Sequence, residues 1–141
     1  MSDDVLEQAL AYWNDIRGTR LMPSRRDIDP VEIPHLLRNL ALVDVLADVP
    51  DFRYRLIGTE IRDRCHRDYT SVTFSSLPHQ GPGNAIWMGL MRVVEDKKPI
   101  FGASTYVGPT EWVRESRDLW LPLSSDGANV DTILIAVSFH D

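Results

Sequence analysis

The sequence predicts an α+β fold: a five-stranded antiparallel sheet with a helical insertion between strands two and three, and an amphipathic helix in front. Two observations carry this. Apolar residues recur first at helical spacing, then in two strand-like runs, then in helical segments, then in three further strand-like runs. The connections inside each strand group are short turns, which favour antiparallel neighbours. With 141 residues, 43% apolar and 26% charged, the chain has the length and composition of one globular domain.

The first helix is predicted over 3–17, where Val5, Leu6, Ala9, Leu10, Trp13 and Ile16 form one stripe. Asp3 and Asp4 suit its positive end, Arg17 its last turn, and Gly18 the left-handed position after it. A helix of this length is marginal alone, so its stripe must dock on something. Asp29-Pro30-Val31-Glu32 carries N-cap chemistry, and Pro34 interrupts this segment, leaving a short broken helix that ends near Leu37.

Strands are predicted over 40–47 and 52–58, joined by a turn at Asp48-Val49-Pro50-Asp51. A turn centred on Val49-Pro50 sets Asp44 opposite Arg55 and Leu46 opposite Arg53. It also gathers Ala41, Val43, Val45, Phe52, Tyr54 and Leu56 on one apolar face. Residues 60–80 lack a strong period, with a helical turn or two from Glu60 to His66. Asn84 is predicted to cap a helix running to Lys97, with Ile86, Trp87, Leu90, Met91 and Val94 on its apolar face and Pro99 as its stop. Three strands come next over 100–107, 113–122 and 130–139, separated by turns at Gly108-Pro109 and Asp126-Gly127.

Fifteen basic against 21 acidic residues give a net charge of −6, which argues against a nucleic-acid partner. No apolar stretch is long enough for a membrane span, so no membrane partner is expected. The opening Met1-Ser2-Asp3-Asp4 is acidic where a secretory signal is basic and then apolar. Cys65 is the single cysteine, as expected in a reducing cytoplasm.

Candidate chemistry is sparse. Cys65 and His66 are neighbours, while His35, His79 and His140 are distant, so no metal-ligand spacing exists and no metal is predicted. Cys65 beside His66 is the one nucleophile–base pair, but adjacent side chains on a helix diverge. An inert thiol is the plainer reading. Oxidation sensing stays open, because Arg64, His66 and Arg67 flank the thiol and would lower its pKa. Asp44 and Arg55, face to face in the predicted register, are either a ligand-binding pair or a cross-strand ion pair. Tyr69, Trp87 and Met91 either line a cavity between the long helix and the sheet or simply pack the core. Arg53, Arg55, Arg62, Arg64 and Arg67 are interleaved with Asp51, Glu60, Asp63 and Asp68 and read as a mixed solvated surface.

Several runs taken together are similar to a PAS-like family of small, mostly stand-alone bacterial proteins, chiefly alphaproteobacterial. They are Trp13 to Gly18 with Leu21-Met22-Pro23-Ser24-Arg25-Arg26-Asp27-Ile28-Asp29-Pro30, then Phe52-Arg53-Tyr54-Arg55-Leu56-Ile57-Gly58-Thr59-Glu60-Ile61, then Leu119-Trp120-Leu121-Pro122-Leu123-Ser124 with Asp126-Gly127. One departure stands out: the family's Gly-Arg-Asp-Leu-Thr-Gly reads His66-Arg67-Asp68-Tyr69-Thr70-Ser71 here, with both glycines replaced.

The resemblance implies a non-catalytic sensory or interaction module that binds a small molecule or a protein partner. Haem-binding relatives carry an axial histidine on the long helix, and residues 84–97 have none. Photosensing relatives carry an Asn-Cys-Arg-type motif, and Cys65 sits in Arg64-Cys65-His66. Neither haem nor a covalent-adduct flavin is therefore expected, while a small organic ligand stays open. The expected protein is a cytoplasmic regulator with a capping and dimerisation helix at 1–18 and a PAS-like domain at 19–141. It would be a homodimer through that helix and the outer sheet face, signalling to a protein partner. Two rivals stay open. One is an interaction adaptor whose core is filled by its own side chains. The other is a small cone-shaped α+β enzyme, which needs Asp44, Tyr54 or another titratable residue converging in one open pocket with a shifted pKa.

Overall fold

The five strands form where the alternation places them, in a computed structural model that describes residues 4–46 and 51–139. The predicted turn residues Asp48, Val49 and Pro50, together with Asp3, His140 and the Asp4 side chain, lie outside the described residues. The elements run α1 (Asp4–Arg17), β1 (Leu40–Leu46), β2 (Asp51–Ile57), α2 (Thr59–Arg64), α3 (Ala85–Asp96), β3 (Ile100–Val107), β4 (Val113–Leu123) and β5 (Thr132–Phe139). Short 3-10 turns at Arg25–Asp27, Pro30–Glu32, Leu37–Asn39 and Phe74–Ser76 punctuate the connections. Asp29 caps the second of these, its side chain accepting from Val31 N at 3.0 Å, as its sequence chemistry predicts.

All strand pairs are antiparallel, in the order β2-β1-β5-β4-β3. Pairing β1 with β5 joins the first hairpin to the last three strands and leaves β2 and β3 as edges. The insertion between β2 and β3 then lies across one face of the sheet. Ile86, Trp87, Leu90 and Val93 of α3 are buried there, with the inward residues Val43, Phe52, Tyr54, Trp120, Ile133 and Ile135. Asn84 takes the extended N-cap conformation of α3, but its amide donates to Gly81 O instead of capping.

The opposite face belongs to α1. Leu6, Ala9 and Trp13 are buried against β4 and β5, whose outward residues Leu119, Leu121, Leu134 and Ala136 are also buried. The indole Nε1 of Trp13 donates to Pro122 O at 2.9 Å, which satisfies its polar edge inside the contact. The apolar stripe on which the expected homodimer depends is thus covered within the chain.

The register of the first hairpin corrects the predicted one. Asp44 stands opposite Arg53, Val45 opposite Phe52 and Leu46 opposite Asp51, a shift of two residues. Side chains alternate with period two, so this shift preserves the inward face of Val43, Val45, Phe52 and Tyr54. A bulge then intervenes: Val43 pairs with Tyr54, but Leu42 pairs with Leu56, leaving Arg55 as the extra residue. Leu56, placed by the sequence on the core face, is turned outward and is 53% exposed.

Candidate functional site

Between the inner sheet face, α2 and the start of α3 lies a cavity walled by Ala41, Ile57, Ile61, Cys65, Ile86, Ile135 and Val137. Its polar side is Tyr54, Gln80, Ser104, Ser116 and Asp118. The free volume is about 40 Å³, room for about three waters and for no tricyclic or tetrapyrrole ring. Arg62 and Arg67 also border it, and both are exposed, which marks its open side. An outer pocket of about 180 Å³ adjoins it, sharing Tyr69, Gln80 and Tyr106 and adding His66, His79 and Thr105.

Asp118 dominates the closed end. It sits on β4 with inward parity and is 1% exposed. Ser104 Oγ donates to its Oδ2 at 2.6 Å, Ser116 Oγ to its Oδ1 at 2.7 Å, and Trp120 Nε1 to its Oδ2 at 3.2 Å. No ion pair reaches it among the described residues. Burial raises its pKa, and the three donated hydrogen bonds only partly oppose that shift.

The serine geometry favours the neutral acid too. Ser104 Oγ and Ser116 Oγ lie 3.0 Å apart. If both hydroxyls donate to a carboxylate, no proton lies between them. A protonated Asp118 donates to one serine, which donates to the other, which donates back to the acid: a closed ring with every donor used.

Beside this ring, Tyr54 OH donates to Gln80 Oε1, and Gln80 Nε2 donates to Thr105 O at 3.2 Å, tying β2 to the edge strand β3. Burial pushes the Tyr54 phenol far up, so it stays a donor. Tyr69 OH lies 2.9 Å from His66 Nδ1, and burial raises its pKa as well.

Of the predicted ligand-binding residues Asp44, Arg55, Tyr69, Trp87 and Met91, only Tyr69 lines this cavity; Cys65, Arg62 and Arg67, weighed for other roles, also border it. Trp87 is buried in an aromatic cluster instead, its ring 5.1 Å edge-on from Phe52. Met91 lies in a surface groove with Met88, Ile100 and Phe101, on the flank of α3 that faces edge strand β3. Asp44 and Arg55 do form an ion pair, at 3.3 Å, but on the sheet's other face, where Arg53 also reaches Asp44 at 3.7 Å. Both arginines are about half exposed, which leaves the pair a small contribution. Arg55→Leu is expected to cost under about 1 kcal/mol in urea unfolding, because Arg53 still faces Asp44.

The basic flanks do not make Cys65 an acidic thiol, which favours the plainer reading of an inert one. Burial pushes Cys65 up to about 11, so the thiol stays protonated at neutral pH despite its basic flanks. The two replaced glycines differ in consequence. Ser71 holds φ at 72°, the left-handed region that glycine tolerates, whereas His66 does not. Ser71→Gly is expected to stabilise by up to about 1 kcal/mol in thermal unfolding.

Asp118, Ser104, Ser116 and Gln80 were not singled out from sequence as site residues, and Tyr54 was one only as a titratable residue of the enzyme reading. The available signal was parity: an aspartate two positions before Trp120, inside a strand, shares the tryptophan's face.

A five-stranded antiparallel sheet with its helical insertion folded over one face and enclosing a cavity is the architecture of a sensory domain of the PAS class. The family model of the PAS domain matches residues 1–137, and the chain belongs to that family. The matched region includes α1. Among solved structures, a crystal structure of a Rhodobacter sphaeroides LOV protein aligns with a TM-score of 0.54 at 11% identity, covering 97% of this chain and 67% of that one. At that identity the likeness is one of fold. No curated protein matches the chain.

Proposed function

We propose that this chain is a non-catalytic cytoplasmic sensor that holds a small ligand in its inner cavity and passes the occupied state to a protein partner. The observation that carries this reading is the buried polar end of the cavity. Asp118, Ser104, Ser116, Tyr54 and Gln80 converge on a space that their own side chains do not fill. Buried polar groups cost stability unless they are well satisfied, and a binding site is the ordinary reason to keep several in one place. Asp118 and Tyr54 are two titratable groups side by side, as an enzyme would need. Their space admits waters but not a substrate together with an attacking group, so the enzyme reading is not adopted.

The adaptor reading keeps one observation in its favour, the small free volume. The proposed output is a second copy or a signalling protein. A homodimer beside α1 would use Phe101, which is 58% exposed next to Leu6 and Glu7. Native mass spectrometry of the full chain purified from its own host tests both points together. A dimer whose protomers carry a small extra mass, lost on denaturation, is the expected result. A chain that always flies at its bare mass would favour the filled-core adaptor instead.

A further inference from the structure

We propose that the cavity takes a small zwitterion of the amino-acid type, with its ammonium against Asp118 and its carboxylate at Arg62 and Arg67. This rests on the reading of the cavity as a ligand site and adds the ligand's chemistry.

The cavity is polarised along its depth. Its closed end holds one carboxyl group that receives only hydrogen-bond donors and no cation among the described residues. Its open side holds two guanidinium groups. Arg62 lies 3.9 Å from the exposed Asp63 and also acts on the exposed Asp68, and Arg67 lies 5.0 Å over the Tyr69 ring. A simple anion is drawn to the arginines but finds no cation at depth among the described residues. A simple amine suits Asp118 but must sit below two positive charges. A molecule with both poles matches both ends, and each end penalises the half-ligand that lacks its pole.

The sizes agree. The inner space of about 40 Å³ fits an ammonium with a methylene or two, and the outer pocket of about 180 Å³ fits the rest. Tyr54, Tyr106 and Phe139 wall the inner space, and aromatic rings suit a buried cation.

The protons balance as well. Tyr54 and Cys65, the other titratable groups around the inner space, are both held neutral by burial. Tyr69 and Tyr106 are phenols, and Arg62 and Arg67 are fixed cations. Asp118 is therefore the inner group that changes charge, while His66 and His79 line only the outer pocket. An arriving ammonium ionises it, and its proton leaves for solvent.

Isothermal calorimetry on the full chain tests this with glycine, 3-aminopropanoate, 4-aminobutanoate and 5-aminopentanoate, against butanoate, butan-1-amine and butan-1-ol. At least one amino acid is expected to bind tenfold or more tighter than butanoate and butan-1-amine. Its heat should vary with buffer ionisation, as proton release requires. Asp118→Asn should abolish the preference for the ammonium while circular dichroism stays unchanged. Arg67→Gln should weaken the amino acid but not butan-1-amine. If butan-1-ol binds as well as the amino acids, the zwitterion falls and the ligand cavity stands. If no probe of either kind binds, both fall. Amino-acid binding that Asp118→Asn leaves intact would overturn the proposed site.

Discussion

Gly89→Ala is expected to destabilise the protein by about 2 kcal/mol, although alanine is the better helix former by about 1 kcal/mol. The reversal of sign comes from one indole. A Cβ at Gly89 on α3 would lie 1.9 Å from Trp120 Cζ3, and a Cβ at Gly102 on β3 would lie 2.2 Å from Trp120 Cη2. The ring is thus held between two glycines and is 3% exposed. Overpacking a tight core costs about 1–3 kcal/mol, and a ring blocked on both sides belongs at the upper end. Urea unfolding of wild type, Gly89→Ala and the double variant Gly89→Ala/Trp120→Phe checks this. The smaller ring should recover part of the alanine's cost, giving a favourable coupling between the two positions. An alanine variant more stable than wild type would mean that the slot is loose. The slot also reaches the cavity, because Trp120 Nε1 is one of the three donors on Asp118. The Gly89 variant should therefore disturb the acid's environment from the far side of the ring.

Alternation made the strands legible, and it shows where legibility stopped. β3 falls where the sequence placed it because turn residues bound an apolar run, and α1 falls within a residue of its predicted start because its stripe is strict. The pairing of β1 with β2 was not legible. Period two fixes which face a residue takes, not which of two equivalent registers is used, and nothing in Tyr54-Arg55-Leu56 marks the bulge. The cavity was harder still. From Asp118 to Leu123, β4 is buried on both faces, because α1 covers the side that a free sheet would show to water. A strand buried on both faces loses its polar-apolar alternation, so only the shared parity with Trp120 was left to place Asp118 inward. Trp87 and Met91 illustrate the same limit on a helix. Helical spacing defines the stripe that faces the sheet. It could not say that Trp87 ends in the aromatic cluster and Met91 in a groove at the edge strand.

Asp118→Ala and Asp118→Asn are expected to move stability in opposite directions at neutral pH. Alanine leaves Ser104 and Ser116 free to bond each other but strands the Trp120 indole N–H inside the core. An orphaned buried donor costs about 1–3 kcal/mol, and the emptied volume adds to it, so a loss of about 3 kcal/mol is expected. Asparagine has the shape and the hydrogen-bond pattern of the neutral acid. Its amide donates to Ser116, and its oxygen accepts from Ser104 and Trp120, so the ring stays closed. Asp118→Asn is therefore expected to be at least as stable as wild type at pH 7.

The pH dependence fixes the sign. The folded-state pKa of Asp118 is raised, so the native chain holds this proton to higher pH than the unfolded chain does. Native stability then falls as pH rises from the ordinary carboxylate value through the raised one, and is flat beyond it. Asp118→Asn lacks this slope. Its advantage should vanish below the ordinary carboxylate range and grow to a plateau above the raised pKa, in urea midpoints measured across pH. A variant that loses as much as Asp118→Ala at neutral pH would mean that the carboxylate itself is supported there. Above the raised pKa the empty cavity carries an ionised acid with no cation beside it among the described residues, and the stability lost to that charge is what a bound ammonium returns. The same desolvated carboxyl that weakens the free protein is thus the source of its preference for a positively charged ligand.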